Sequence, residues 1–242
     1  VTAPEINATS ISAGNEHTCA LDNSSGRVKC WGAGWGGALG LGDQNTRGDS
    51  ANEMGSNLGF VDLGTGRTAT AISVGSNSCA ILDNGSVKCW GANNNGRLGL
   101  GDTNHRGDAA NEMGDNLPIV DLGTGRTATV ISGGSAHNCA ILDNASVKCW
   151  GRGRSGALGI GNTNDMGDAA NEMGDNLPIV DLGTGRTATA ISLGNGHTCA
   201  MLDNGFVKCW GYNANGRLGQ GNTNSIGKNA NEMGDNLPAI DL

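Results

Sequence analysis

The strongest constraint on the fold of this chain is an internal repeat. A unit of about 60 residues occurs four times. Its first cysteine recurs at Cys19, Cys79, Cys139 and Cys199. The stretch NEMGDNLPIVDLGTGRTAT is identical at 111–129 and 171–189. A repeat of this length that fills a chain indicates an array of similar units. We therefore predict a single repeat domain over residues 1–242.

The unit boundaries are placed before a short apolar run that recurs along the chain. One copy of this run, Pro118-Ile-Val-Asp-Leu122, leads directly into Gly-Thr-Gly and the next alternating segment. We expect the run to be the strand that opens the following unit. The predicted units then cover about 1–58, 59–117, 118–177 and 178–237, and a last strand remains over 237–242.

Within each unit the apolar patterns are short. Residues 68–73 alternate between apolar and polar side chains, and the runs 79–82 and 86–90 flank an Asp-Asn-Gly turn. These are hairpin and strand signals, and the run 118–122 supplies a fourth. No stretch keeps a 3.6-residue period, so we expect little helix. The predicted fold is all-β, a β-propeller-like array of four blades, each of about 60 residues with four short antiparallel strands.

The cysteines fall on opposite sides of the predicted hairpin. With a three-residue turn at 83–85, Cys79 lies opposite Cys89, where Cβ atoms approach to ~4.5–5.5 Å, close to the disulfide range. A zinc site would need closer spacing and four converging ligands, and no redox C-x-x-C motif is present. We predict four local disulfides, each worth about 2–3 kcal/mol, and a location outside the cytosol. The predicted pairs are Cys19–Cys30, Cys79–Cys89, Cys139–Cys149 and Cys199–Cys209.

The motif at 191–219 carries a family resemblance. It reads ISLGNGHTCAMLDNG, then VKCWGYNANGRLG, and it resembles the repeat of the regulator-of-chromosome-condensation family: Gly-x-x-His-Thr, a hairpin, then Trp-Gly-x-Asn-x-x-Gly-x-Leu-Gly. All four units match, although the second lacks its histidine and the first carries Gly34 and Trp35 in its loop. The resemblance implies propeller blades, and the cysteines suggest a disulfide-bearing, secreted bacterial variant. The family's best-known activity, nucleotide exchange on a nuclear small GTPase, is not carried over.

The resemblance also raises the question of ring closure, since family members usually have seven blades. Four units leave open a compact ring, an open arc, an assembly of several chains or a segment of a longer repeat protein. With these unit boundaries, the first unit has no apolar run before Ile6 to form its opening strand. The last run, with Pro238, Ile240 and Leu242, has no following unit to open. We therefore expect residues 237–242 to pair with the first unit, in the same chain or in a neighbour.

Composition and motif content exclude several functions. The net charge is −8, which disfavours nucleic-acid partners. The sequence contains no run of 18 apolar residues, so we expect no membrane insertion. No catalytic motif is present, and residues that recur in every unit serve the repeat, so we predict no enzyme. His17, His137 and His197 occupy one repeated position and are interpreted as bonded to neighbouring backbone. His105 stands alone without a nucleophile in its sequence context.

An acidic loop in the second unit is a candidate calcium site, because carboxylate and amide oxygens suit that ion. Its candidate ligands are Asp102, Asn104, Asp108, Glu112 and Asp115. The alternative is a structured loop between units, since Asp, Asn and Gly also form turns. No other cofactor is expected.

The loops after Trp-Gly differ between units and carry the side chains that dominate binding hot spots. The candidate partner-binding residues are Trp35, Asn94, Arg152, Arg154 and Tyr212. We expect a non-enzymatic scaffold, extracellular or at the cell surface, that binds a protein or carbohydrate ligand through these loops. The alternative is a structural subunit that assembles head to tail into a filament or ring by strand pairing.

Overall fold

The computed structural model describes residues 6–242, and within them the fold is an all-β repeat array. Twelve strands form four separate three-stranded antiparallel sheets, each in sequential order. The strands are β1 (Ser10–Ala13), β2 (His17–Asp22), β3 (Arg27–Gly32), β4 (Ala69–Val74), β5 (Asn77–Leu82), β6 (Val87–Gly91), β7 (Ala128–Gly133), β8 (His137–Leu142), β9 (Val147–Gly151), β10 (Ala188–Leu193), β11 (His197–Leu202) and β12 (Val207–Gly211). The predicted all-β repeat array is confirmed.

The helical content of the described residues is limited to short 3-10 turns. They cover Trp35–Gly37, Gly55–Asn57, Asn94–Gly96, Gly114–Asn116, Arg154–Gly156, Gly174–Asn176, Ala214–Gly216 and Gly234–Asn236. None of these turns has the length or the apolar character that crossing a bilayer would require.

The hairpin register agrees with the prediction. Cys79 lies opposite Cys89, and Ile81 lies opposite Val87. The turn closes because Gly85 adopts φ +78°, which a residue without Cβ does readily. All four predicted disulfides form, each with its two Cα atoms 4.0–4.1 Å apart, and no cysteine is free. The alternating pattern and the turn together fix this part of each unit.

The fourth apolar run is not a full strand, so the prediction of four strands per blade was wrong in this detail. The run lies along the third strand of the preceding hairpin and makes one backbone hydrogen bond there, from Val120 N to Val87 O at 2.8 Å. Pro118 has no N–H to extend the ladder, and the Asp121 carboxylate accepts from the Gly123 N–H to start a turn. The run therefore closes its own unit rather than opening the next.

The same arrangement corrects the prediction for residues 237–242. Ile240 N donates to Val207 O at 2.8 Å, so this segment lies on β12 of the fourth unit. Ile240 also packs against Gly219 of that unit. Pro238, Ile240 and Leu242 therefore belong to the fourth unit within the described chain and do not close it onto the first.

Neighbouring units share hydrophobic cores, and each core contains one fully buried tryptophan. Trp90, Trp150 and Trp210 lie at the three junctions between consecutive units. Each indole N–H donates to a backbone carbonyl of the preceding unit, as from Trp150 to Arg97 O at 3.0 Å. The repeated tryptophan thus holds units together.

The ends of the first strands of all four units line one shared channel, with a volume of about 470 Å³. The loops that follow them approach so closely that a Cβ on Gly14 would collide with the carbonyl of Gly75, and one on Gly75 with the carbonyl of Gly134. Asn15 N also donates to Gly75 O at 3.1 Å. Glycine at this point is required for the close packing that brings the loops of successive units side by side.

Candidate functional site

The loops after the third strands share one face with the loops that surround the channel. In three units the two loops are joined directly, because the N–H groups of Ala33, Arg152 and Tyr212 donate to Glu16, Ala136 and Gly196. We call this surface the tip face. It comprises the tip loops 33–38, 92–97, 152–157 and 212–217, and the inner loops 14–16, 75–76, 134–136 and 194–196.

The first cavity of the tip face lies between units one and two and has a volume of about 420 Å³. Trp35, Glu16 and Asn94 line it. The Trp35 ring packs edge-on against His105, with 5.5 Å between the ring centroids. His105 is itself held, because its Nδ1 accepts from the Asn93 N–H at 3.0 Å. This histidine therefore supports an aromatic wall.

The second cavity lies between units three and four and has a volume of about 220 Å³. Arg152, Arg154, Ser155, Asn195 and Tyr212 line it. Ser155 adopts φ 61°, a region that is costly for a residue with a Cβ, and this backbone turn places the loop at the cavity wall. All five predicted partner-binding residues thus lie on one face, divided between two cavities at equivalent junctions.

The two cavities are separated by a filled junction, and the residue directly before Leu-Gly in each unit explains this difference. Units one and three carry Ala38 and Ala157 there, and units two and four carry Arg97 and Arg217. Arg97 is only 8% exposed, and its Nη1 donates to Ser135 O of the third unit at 3.2 Å. Its side chain occupies the junction where the alanines leave space, and it also forms part of the wall of the first cavity.

Two arginines of this face escaped the sequence analysis. Burial lowers the pKa of the Arg97 guanidinium, and the positive charge of Arg152 lowers it further. The Arg217 guanidinium lies 4.8 Å from the centroid of the Tyr212 ring and donates to Asn195 O. The signal in the sequence is the alternation of alanine and arginine directly before Leu-Gly.

The repeated histidines connect neighbouring units. His17 Nε2 lies 2.7 Å from Ser78 Oγ, and His137 Nε2 lies 2.8 Å from Thr198 Oγ1. The partners are side-chain hydroxyls of the next unit, not neighbouring backbone as expected. Burial lowers the pKa of both His17 and His137 to about 4.

His197 and the second unit vary this connection. The pKa of His197 is lowered by burial and then by the charge of Arg217. In the second unit Asn77 stands in place of the histidine, and its side-chain oxygen accepts from the Asn138 amide at 3.2 Å. The position therefore serves contacts between units.

The repeated lysine also joins units. Lys88 Nζ donates to Leu63 O of the first unit at 3.1 Å and to Gly114 O of its own unit at 2.7 Å. Lys148 and Lys208 repeat both contacts. Burial lowers the pKa of Lys88, while the charges of Asp115 and Asp62 oppose that shift.

The predicted calcium ligands do not share a site. Asp102 pairs with Arg106 at 2.7 Å, and the Glu112 carboxylate accepts from the N–H groups of Gly107, Asp108 and Ala109. The Asp102 carboxylate also accepts from Asn104 N. Among the residues that the structure describes, no three acidic, histidine or cysteine side chains converge on a point that could hold a metal ion.

The other two acidic candidates, Asp115 and Asp108, accept hydrogen bonds from residues that lie far before them in the sequence. The Asp115 carboxylate accepts from the backbone and hydroxyl of Thr65, and these bonds lower its pKa. Asp108 accepts from the side chain of Gln44 at 3.1 Å. The loop is therefore a structured connection between units, which was the alternative interpretation.

Four similar sheets around a shared channel, joined by tryptophan and histidine contacts, define a β-propeller-type repeat protein. The family model described as the regulator of chromosome condensation (RCC1) repeat matches residues 8–41, 70–97, 129–157 and 188–217, and a second model of the same description matches 84–141. Together they cover more than half of the sequence. The chain belongs to the regulator of chromosome condensation repeat family.

Relatives and solved structures agree with this assignment. The chain is 28% identical to the ultraviolet-B receptor UVR8 of Arabidopsis thaliana over 88% of its length and 43% of that protein. It is 29% identical to the probable E3 ubiquitin-protein ligase HERC3 of Homo sapiens, over 89% of the chain and 18% of the ligase. The chain thus spans less than half of either relative.

Two solved structures show the same fold. Human WBSCR16 superimposes with a TM-score of 0.69 at 18% identity, over 100% of this chain and 55% of that protein. Yeast RCC1 (Prp20), in its complex with Kap60, gives 0.68 at 22% identity, over 98% of this chain and 49% of that one.

Proposed function

We propose that this chain is a non-enzymatic scaffold that binds a partner protein on its tip face. The observation that carries the proposal is the distribution of side chains. Residues that recur in every unit, such as Trp150 and Lys148, are buried at the junctions, whereas the variable tip residues line two open cavities. Aromatic residues and arginine in such pockets are typical of binding hot spots.

The relatives support a protein partner rather than a small substrate. Yeast RCC1 was solved in complex with Kap60, and a study of Prp20p describes its binding to Gsp1p and histones. The partner of this chain is a different one if the protein is secreted. Its four disulfides support an extracellular or cell-surface location, because such bonds persist in oxidising compartments.

The test uses the two exposed aromatic residues of the tip face. We expect the Trp35→Ala, Tyr212→Ala double variant to fold normally, because other units carry smaller residues at these positions. Cross-linking at the surface of source cells, read out by mass spectrometry, should identify a protein whose yield falls by about tenfold or more in the variant, as for the loss of hot-spot residues. Phe206→Ala is the matched control, since it removes an exposed aromatic residue from a hairpin turn. An equal yield from all three proteins contradicts the proposal, and a glycan as the only labelled species redirects it to carbohydrate.

A second candidate function is assembly from chain to chain. Met201 is 43% exposed on the outward side of the fourth unit, whereas its equivalents Ile81 and Ile141 are 4% and 3% exposed at junctions. The first unit of another copy would cover this surface. Since residues 237–242 are engaged on β12, the contact would be face to face and would not involve strand donation.

Assembly is tested by the mass of the protein in solution. If the second candidate holds, sedimentation of the native protein should show a mass that rises with concentration, and Met201→Glu should return it to a single chain. A charged residue buried at such a contact costs several kcal/mol. A single-chain mass at all concentrations rules this candidate out and leaves the tip-face proposal unaffected.

A further inference from the structure

The arginines of this chain divide into two groups. Five of the ten arginines in the sequence form ion pairs with aspartates, and Arg27 stacks on Phe60 with its guanidinium carbon 3.2 Å from the ring centroid. The remaining four are Arg97, Arg152, Arg154 and Arg217. Within residues 6–242 none of these four is ion-paired with a carboxylate. All four belong to the tip loops, in a chain whose net charge is −8.

Two of these arginines, Arg152 and Arg154, line the second cavity, and a third, Arg217, contacts Tyr212 of its lining. The side chains of Arg152 and Arg154 are exposed and form one wall. Opposite them, Tyr212 lies beneath the Arg217 guanidinium. Arg97 lines the first cavity, but it lies close enough to Arg152 that the two positive charges affect each other. The nearby carboxylate of Asp165 is occupied by the Gly153 N–H and the Asn95 amide, each at 2.8 Å.

The first cavity shows that this charge is a property of one junction and not of the fold. At the positions of Arg152 and Arg154, the first unit carries Ala33 and Trp35, and Glu16 stands where the third unit has Ala136. In the first cavity the carboxylate of Glu16 faces the same space as the guanidinium of Arg97, whereas the second cavity is lined by two arginines and no carboxylate. A ligand with an anionic group is therefore directed to the second cavity.

We infer that the second cavity binds the carboxylate of a glutamate or aspartate in an extended acidic segment of the partner protein. This inference rests on the proposed function and specifies its ligand. Arginine forks match the planar carboxylate geometry and donate paired hydrogen bonds. Ser155 and Asn195 supply further polar groups, and Tyr212 offers an apolar surface for the methylene groups of the ligand. The volume of about 220 Å³ suits a side chain of a peptide rather than a folded surface.

The small extent of the basic site favours a short acidic peptide over a nucleic acid. A nucleic acid requires neutralisation of many phosphates by an extended basic surface, whereas only two arginines line this cavity. A peptide places a single carboxylate in the cavity while its remaining length stays away from the acidic surface.

The experiment measures binding of a fluorescein-labelled ten-residue peptide rich in glutamate and aspartate by fluorescence anisotropy. Wild-type protein should bind this peptide, and should not bind the analogue in which glutamine and asparagine replace the acids. The Arg152→Gln, Arg154→Gln variant should bind at least about tenfold more weakly, because hydrogen bonds to charged groups are lost. Both arginines are exposed, and melting curves verify the fold of the variant.

The control is Arg126→Gln, Arg186→Gln, which changes the net charge equally but removes arginines paired with Asp143 and Asp203. It should bind the peptide as wild type does, within about twofold, because rim charges far from a site contribute little. Equal weakening in both variants overturns the inference, as does no binding of the acidic peptide at millimolar concentration. Displacement of the peptide by an oligothymidine or by a heparin fragment at lower concentration than by unlabelled peptide also overturns it.

Failure of this inference can be told apart from failure of the proposed function. If the acidic peptide does not bind while cross-linking to a partner protein still depends on Trp35, the tip face is a binding surface with a different ligand for the second cavity. If the peptide binds and no partner depends on Trp35, the carboxylate site stands and the wider proposal fails.

Discussion

Reduction of the four disulfides is expected to unfold the protein at temperatures where the oxidised form is fully folded. Each bridge closes a loop with a sequence separation of 10 or 11 residues and contributes about 2–3 kcal/mol by restricting the unfolded chain. Four such contributions are comparable to the whole stability of a typical domain, about 5–15 kcal/mol. The cysteines of the first three bridges also lie in the cores between units, among buried side chains.

Two measurements check this expectation. Thiol titration of native protein in guanidinium without reductant should find no free thiol. Melting curves with and without dithiothreitol should then differ by about 15 °C or more, since about 1 kcal/mol shifts the midpoint by 2–4 °C in a chain of this size. The Cys79→Ala, Cys89→Ala variant should lose about a quarter of the effect. Recovery of eight thiols from native protein would contradict both the pairing and the extracellular proposal.

Acidification from pH 6.5 to pH 4 is expected to destabilise the protein steeply. Burial lowers the pKa of His17 and His137 from 6.5 to about 4, so the folded state binds fewer protons than the unfolded state in this range. The stability that these neutral rings contribute is complete above pH 6.5 and is lost as the pH falls through 4. The loss approaches about 3 kcal/mol for each ring.

The second unit supplies the matched substitution for this test. Asn77 occupies the histidine position there, so His17→Asn and His137→Asn introduce a residue that the fold already accommodates. The double variant should lose most of the slope of the free energy of unfolding between pH 6.5 and 4. Carboxylates held by hydrogen bonds, such as Asp115 and Asp175, have lowered pKa values and act below about pH 4. A wild-type slope that persists in the double variant would show that other groups cause the acid sensitivity.

The hairpins could be predicted from sequence because their determinants are local. The turn at Asp83-Asn84-Gly85, the alternation on both sides and the cysteine pair all indicate one register, and the structure has that register. The fourth strand failed for a local reason as well, since Pro118 and the turn at Asp121 interrupt the ladder. The apolar composition of the run did not reveal this interruption, because a buried segment shows the same apolar residues whether or not it pairs as a strand.

Contacts between units were not predictable from one unit. Ser78, the partner of His17, lies in the following unit, and nothing in the local sequence of either residue indicates the pair. The hydrogen bonds of the candidate calcium ligands were equally hidden, because Asp115 accepts from Thr65 and Asp108 accepts from Gln44, both far away in the sequence. Five tip residues were identified from their variation, but the cavities and the role of Arg97 depend on how neighbouring units pack.

The alternation of Ala38, Arg97, Ala157 and Arg217 gives this array a chemical period twice its backbone period. The junctions with alanine contain cavities, which serve as sockets for a ligand. The junction occupied by Arg97 is filled and acts as a spacer between them. One substitution at this position can therefore convert a spacer into a socket without altering the strands. Diversification by duplication would then act on pairs of units, because both members of a pair line the cavity between them.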